Sequence, residues 1–302
     1  MARNKQWLAA ATVLAVAGAA VGWTLTAADP IDAAELGSHT PDIENGRTAF
    51  NIGGCASCHS AKGAKDDDKL VLLGGQRFET DFGTFVAPNI SPDPDQGIGD
   101  WREIDFVNAV MRGVAPDGSH YYPAFPYGSY VRMKIDDVRD LWAYIQTLPP
   151  SARPNDPNEL GFPFSIRRGN GVWKLLYLND AWIVDVPETL ERGRYLVEGP
   201  GHCGECHTPR KGLGGLDASQ WLAGAPNPDG KGSIPNITPG GKKLSGWSEI
   251  DIAEYLNSGF TPDYDTAGGS MVSVIDNTAK LSDQDRAAIA AYLKAIPAIP
   301  SP

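Results

Sequence analysis

The sequence has no basic surplus. Its 26 Lys and Arg are set against 37 Asp and Glu, for a formal net charge of −11. That excludes nucleic acid as a partner, because phosphate binding needs a basic face. Thiols are scarce, with four cysteines in 302 residues. A chain this long buries a sizeable core without disulfide staples, so the cysteines need another explanation. Only one long apolar run occurs, so one membrane anchor is the maximum. Strand-like alternation is missing too, which points to a mostly helical fold. Hydrophobic residues at 42% against 21% charged exclude wholesale disorder. What is plentiful is Gly (34) and Pro (24), so long loops are expected between the helices.

The charge is uneven. Residues 29–150 carry −9 and residues 151–302 carry −4. The acidic first half reads as a solubility feature, with a docking face for a basic partner as the alternative.

At the N-terminus, Arg3 and Lys5 precede 19 uncharged residues, 7–25. That is close to the about 20 residues a helix needs to cross a bilayer. It is longer than the about 7–15 of a signal-peptide core. Trp7 and Trp23 stand near its ends, as interfacial aromatics do. The residues Thr26, Ala27 and Ala28 resemble a signal peptidase site. An uncleaved inner-membrane anchor is therefore expected, with a cleaved signal and a soluble product as the alternative. Either way the positive N-terminus stays inside and the remainder is periplasmic.

All four cysteines fall in two C-x-x-C-H motifs, Cys55, Cys58 and His59, then Cys203, Cys206 and His207. This is the pattern of c-type haem attachment. Two thiols add to the haem vinyl groups, and the adjacent imidazole meets the iron from the proximal side. A zinc site built from both pairs, a thioredoxin-like pair and disulfides are the competing readings. The following histidine in both copies, and the duplication itself, favour haem.

The halves repeat beyond these motifs. The segment from Pro88 to Ile90 matches that from Pro235 to Ile237, and Trp101 matches Trp247, with offsets between 146 and 148. A duplicated module follows. We divide the chain into a leader (1–28), a first module (29–150), a Pro-rich linker (151–187) and a second module (188–302). Each module should run helix, haem motif, long loop, helix, loop and terminal helix. Asp136 and Ser282 are the expected N-caps of the two terminal helices. A short helix is expected at 171–178.

Iron held by one histidine in an electron carrier takes Met or His on its other side. Met271, placed in a loop by its Gly-Gly-Ser lead-in, is the expected distal ligand of the second site. The repeat aligns it with Phe125, which cannot ligate, so Met133 is expected at the first site. Met111 reads as core packing, and His120 as a weaker alternative ligand. His39 and His202 read as surface or packing residues. The Pro88 and Pro235 carbonyls are candidate acceptors for the proximal histidines. Trp101, Trp247, Arg77 and Arg102 are candidate propionate contacts, with core packing the alternative for the tryptophans.

These residues resemble those of bacterial dihaem class I cytochromes c. They are similar to the cytochrome c subunits of membrane-bound alcohol and gluconate dehydrogenases. The shared elements are the two haem motifs, the PNI(S/T)P segments at 88–92 and 235–239, the YPAxPY segment at 122–127 and the GGSM segment at 268–271. The resemblance implies two tandem helical haem-wrapping domains holding two covalent haems c. Those subunits usually carry three haems, and typically Met where Phe125 stands. A related dihaem group has Phe there and Met at the place of Met133.

The expected role is single-electron transfer from a dehydrogenase or similar donor to an acceptor cytochrome or terminal oxidase of the respiratory chain, with no catalysis by the chain itself. The alternative is a dihaem enzyme, such as a peroxidase or a thiosulfate-oxidising cytochrome. An alkaline pyridine haemochrome assay should return two covalent haems per chain. No covalent haem would turn the reading to a non-haem protein.

Overall fold

A computed structural model describes residues 2–227 and 232–300. Helix α1 (Ala2–Leu25) leads, followed by α2 (Ile43–Ile52) and the short α3 (Cys55–His59). Strands β1 (Arg77–Thr80) and β2 (Gly83–Val86) follow, then α4 (Glu103–Arg112), α5 (Tyr127–Tyr130) and α6 (Ile135–Ile145). The linker holds β3 (Glu159–Leu160) and α7 (Gly169–Tyr177). The second module contains α8 (Glu191–Glu198), α9 (Gly204–His207), β4 (Ala225–Pro226), β5 (Ser233–Ile234), α10 (Glu249–Ser258), α11 (Met271–Thr278) and α12 (Asp283–Ala295). The fold is mostly helical, as expected.

Each module is built on a crossing of its first and last long helices, α2 on α6 and α8 on α12. Gly46 and Gly193 make the crossings close. An added Cβ would strike the Asp140 carbonyl in one and the Ala288 carbonyl in the other. The first core gathers Phe50, Val107, Val138, Leu141 and Ile145. The second gathers Leu196, Leu222, Ile252, Ile289 and Tyr292.

Three local expectations are corrected. Strands do form: β1, β2 and β3 make an antiparallel sheet that ties the linker to the first module. They are too short and too exposed to show an alternating pattern. The N-cap of α6 is Lys134, and Asp136 lies in its first turn. An acid there still favours the positive end of the helix dipole. Met271 opens α11 and does not stand in a loop. Ser282 caps α12, accepting from Asp285 N at 3.1 Å.

The linker is a strap and no free tether. Ser151 and Arg153 carbonyls hold Asn89, the Ala181 carbonyl holds Arg132, and Ile183 and Val184 amides reach Glu198. Helix α1 bears no charge from residue 7 to residue 25, and every side chain from 10 to 25 is exposed. Among the described residues, no helix is long and apolar enough to cross a membrane.

Gly46→Ala and Gly193→Ala should each lower stability by about 2 kcal/mol, because the crossing helices must move apart. Guanidinium denaturation followed by far-UV circular dichroism measures this.

Candidate haem sites

Each C-x-x-C-H motif begins on a left-handed residue. Gly54 has φ of 61° and caps α3. Its counterpart is His202, with φ of 38°. A side chain is rare in that region, so it needs support. The His202 ring packs edge-on against Tyr130 at 5.5 Å, and its Nε2 lies 3.2 Å from the Gly53 carbonyl. His202, read from the sequence as a surface or packing residue, therefore shapes the second motif and joins it to the first.

His59 Nδ1 lies 2.8 Å from the Pro88 carbonyl, and His207 Nδ1 lies 2.8 Å from that of Pro235. A carbonyl only accepts, so Nδ1 carries the proton and Nε2 keeps its lone pair. Burial lowers the pKa of both imidazoles, which holds them neutral. The backbone closes the same loop twice. Gly74 N donates to the His59 carbonyl at 2.7 Å, and Gly224 N to that of His207 at 2.8 Å.

The prolines are themselves anchored by the asparagine that follows. Asn89 Oδ1 accepts from Ser91 N at 2.9 Å, and its Nδ2 donates to the Ser151 and Arg153 carbonyls. Asn236 does the same with Thr238 N and the Ile299 carbonyl. Sequence reasoning stopped at the prolines. The signal for the asparagines was present, since both stand at the same place in the repeat.

The four cysteines are free of disulfides. Burial pushes the Cys55 and Cys203 thiols up to about 12. Among the described residues no cluster of three or more His, Cys, Asp or Glu could hold a metal ion, so the zinc reading has no site. Each motif instead offers two thiols and one imidazole whose Nε2 is left unused. That donor set fits a covalently attached haem.

The other residues fall as follows. Met133 is buried in the first core, just before α6, and Met271 packs against the second. Met111 is core, on α4. Trp101 and Trp247 pack on their modules' cores, the latter against Tyr255 at 5.3 Å. Arg77 is engaged by Glu159 and Arg102 by Asp105. His39 joins Asp140 at 2.6 Å. His120 directs Nε2 to the Thr26 carbonyl at 3.0 Å, at the end of α1.

The motifs face one another. Cys58 is raised by burial and then by the Cys206 thiol across the interface. Asn277 Nδ2 donates to Ser57 Oγ at 2.9 Å, and Ser129 Oγ donates to Glu205 Oε1 at 3.1 Å. Ser57 and Glu205 are the third residues of the two motifs, and Ser129 and Asn277 are likewise repeat partners. The contact is reciprocal, as in a two-fold dimer.

Asn89→Ala removes three hydrogen bonds, one buried and two half-buried, and should cost about 2–3 kcal/mol. Denaturant titration checks this, with a proximal-histidine spectrum reporting whether the Pro88 carbonyl stays in place.

The family profile described as Cytochrome c matches residues 43–149 and 190–297. The chain is 57% identical to a "Diheme cytochrome c-type" protein of Cereibacter sphaeroides, over 94% of this chain and 95% of that one. It is 36% identical to the "Fructose dehydrogenase cytochrome subunit" of Gluconobacter japonicus, covering 95% of this chain and 58% of that one. It is 35% identical to the "Alcohol dehydrogenase (quinone), cytochrome c subunit" of Gluconobacter oxydans, covering 92% of this chain and 61% of that one. The chain therefore spans less than two thirds of those two dehydrogenase subunits. Two modules matched by one family profile, each with thiols and a proximal imidazole in place, make this chain a member of the cytochrome c family with two covalently bound haems c.

Proposed function

We propose that the protein relays single electrons from a periplasmic dehydrogenase to the respiratory chain, passing them internally between its two modules. What carries the reading is the reciprocal contact of the two haem motifs. Ser57 with Asn277 and Ser129 with Glu205 hold the Cys58 and Cys206 ends together. The electron-transfer role itself accords with the dihaem and dehydrogenase-subunit relatives.

Each bound haem supplies a one-electron couple. The chain's own residues set its surroundings. His59 and His207 present Nε2, held in that tautomer by the proline carbonyls. Met133 and Met271 would supply the distal thioethers, Met133 from the first core just before α6 and Met271 from the edge of the second. Bound so, thioethers would raise the potential and leave the iron to exchange electrons with no place for a substrate. Cys55, Cys58, Cys203 and Cys206 form the thioethers to the porphyrin.

Helix α1 attaches the protein to the inner membrane in this reading. It is uncharged from residue 7 to residue 25, and its side chains from 10 to 25 are exposed. A helix apolar on all sides belongs in a core or in lipid. The donor is a dehydrogenase by likeness to the relatives named above.

Met133→Ala and Met271→Ala should each remove one haem's share of the methionine–iron charge-transfer band, with the other share intact. A band untouched by both substitutions overturns the ligand assignment. A five-coordinate haem in the resting protein, with peroxide reduction, overturns the relay itself.

A further inference from the structure

Helix α7 is docked with the wrong face outward for a protein in water. Gly171 packs its backbone on the Thr26 carbonyl. Trp173 meets Tyr127 edge-on at 5.7 Å, and Lys174 Nζ donates to the Gly113 carbonyl at 2.8 Å. These residues turn the glycine, aromatic and charged positions toward the first module. Val172, Leu175 and Leu176, at i, i+3 and i+4, form one face. They are 46%, 58% and 60% exposed. The loop before α7 extends this surface with Phe162, 84% exposed, and Ile166, 51% exposed.

The same segment grips the end of α1. Arg168 lays its guanidinium over the Trp23 ring at 4.3 Å, and donates to the Trp23 carbonyl and to Thr26 Oγ1. His120 donates to the Thr26 carbonyl beside it, and Arg167 donates to the His120 carbonyl at 2.9 Å. An exposed apolar helix and an exposed apolar stripe thus meet at one rigid joint. Charge points the same way. Residues 160–178 contain Arg167, Arg168 and Lys174 and no acid, in a chain of net charge −11. With all three bases turned onto the protein, the acid-free outer face meets acidic lipid headgroups without repulsion, and acyl chains accept its leucines.

We propose that residues 162–176 are a second lipid-contacting surface, resting on the bilayer beside α1 and fixing how the two haem modules stand on the membrane. The proposal rests on the reading of α1 as lipid-inserted. A single flexible anchor would let the body tumble. The Arg168 joint together with the α7 stripe holds it in one orientation, so that the same module always faces the membrane.

The test uses the full-length holoprotein in vesicles of phosphatidylethanolamine and phosphatidylglycerol carrying a diazirine phospholipid, with labelled peptides mapped by mass spectrometry. Label is expected on α1 and on 162–176. Label on α1 alone overturns this surface and leaves the α1 reading standing. Label on 162–176 alone overturns the α1 reading and, with it, the placing of this surface beside a lipid-bound α1. Label on neither overturns both. In the Leu175→Glu/Leu176→Glu variant, whose changes lie at exposed positions, labelling of 162–176 should fall about tenfold with α1 labelling unchanged. Undiminished labelling there overturns the assignment to lipid.

Discussion

One hydrogen bond, made twice, governs both haem sites. A buried imidazole must be neutral and must offer Nε2 to the iron. The bond from Nδ1 to a proline carbonyl secures both conditions. It needs the carbonyl held still, and much of each module serves that end. The asparagine after the proline ties the segment to the chain that follows the module's terminal helix, Asn89 to Ser151 and Arg153 at the start of the linker, Asn236 to Ile299. The glycine amide on the histidine's own carbonyl fixes the other side of the loop. The helix crossings at Gly46 and Gly193 give these loops a rigid base.

The second constraint is that one module must meet the other through the same surface. Duplication makes this economical, because a surface that suits itself can pair with its copy. The copies have since diverged in chemistry and kept their places. Ser57 and Glu205 occupy one position of the motif, and each finds a hydrogen-bond donor in the other module. His202 stands where the first module has Gly54, and its ring reaches across to the Gly53 carbonyl. An imidazole in the left-handed region is tolerated because the interface holds it.

The motifs, the duplication and the mostly helical class were legible in the sequence because each is a local or periodic signal. The Pro88 and Pro235 segments were legible as matching letters at nearly the same distance, 29 and 28 residues, from the motif histidine. Other features were not. Strand β3 owes its pairing with β2 to the linker folding back, and the four exposed residues of β1 do not announce a strand. Lys134 caps α6 without a side-chain bond, so no polar signature marked it. His120 resembled a spare ligand until the end of α1 was placed against it.

The sequence by itself determined the chemistry of attachment. Thiols and imidazole must be adjacent to grip one porphyrin edge, and adjacency is visible in a string of letters. It determined the two-module plan as well, since a duplication leaves matching segments at a nearly constant offset. The tertiary structure alone decided which surfaces meet. The two haem motifs stand far apart in sequence and are brought together by Ser57 with Asn277 and Ser129 with Glu205, pairings that no local signal announces. It alone decided that α7 shows its leucines to the outside, because the direction of an amphipathic face depends on what the other face has found to pack against.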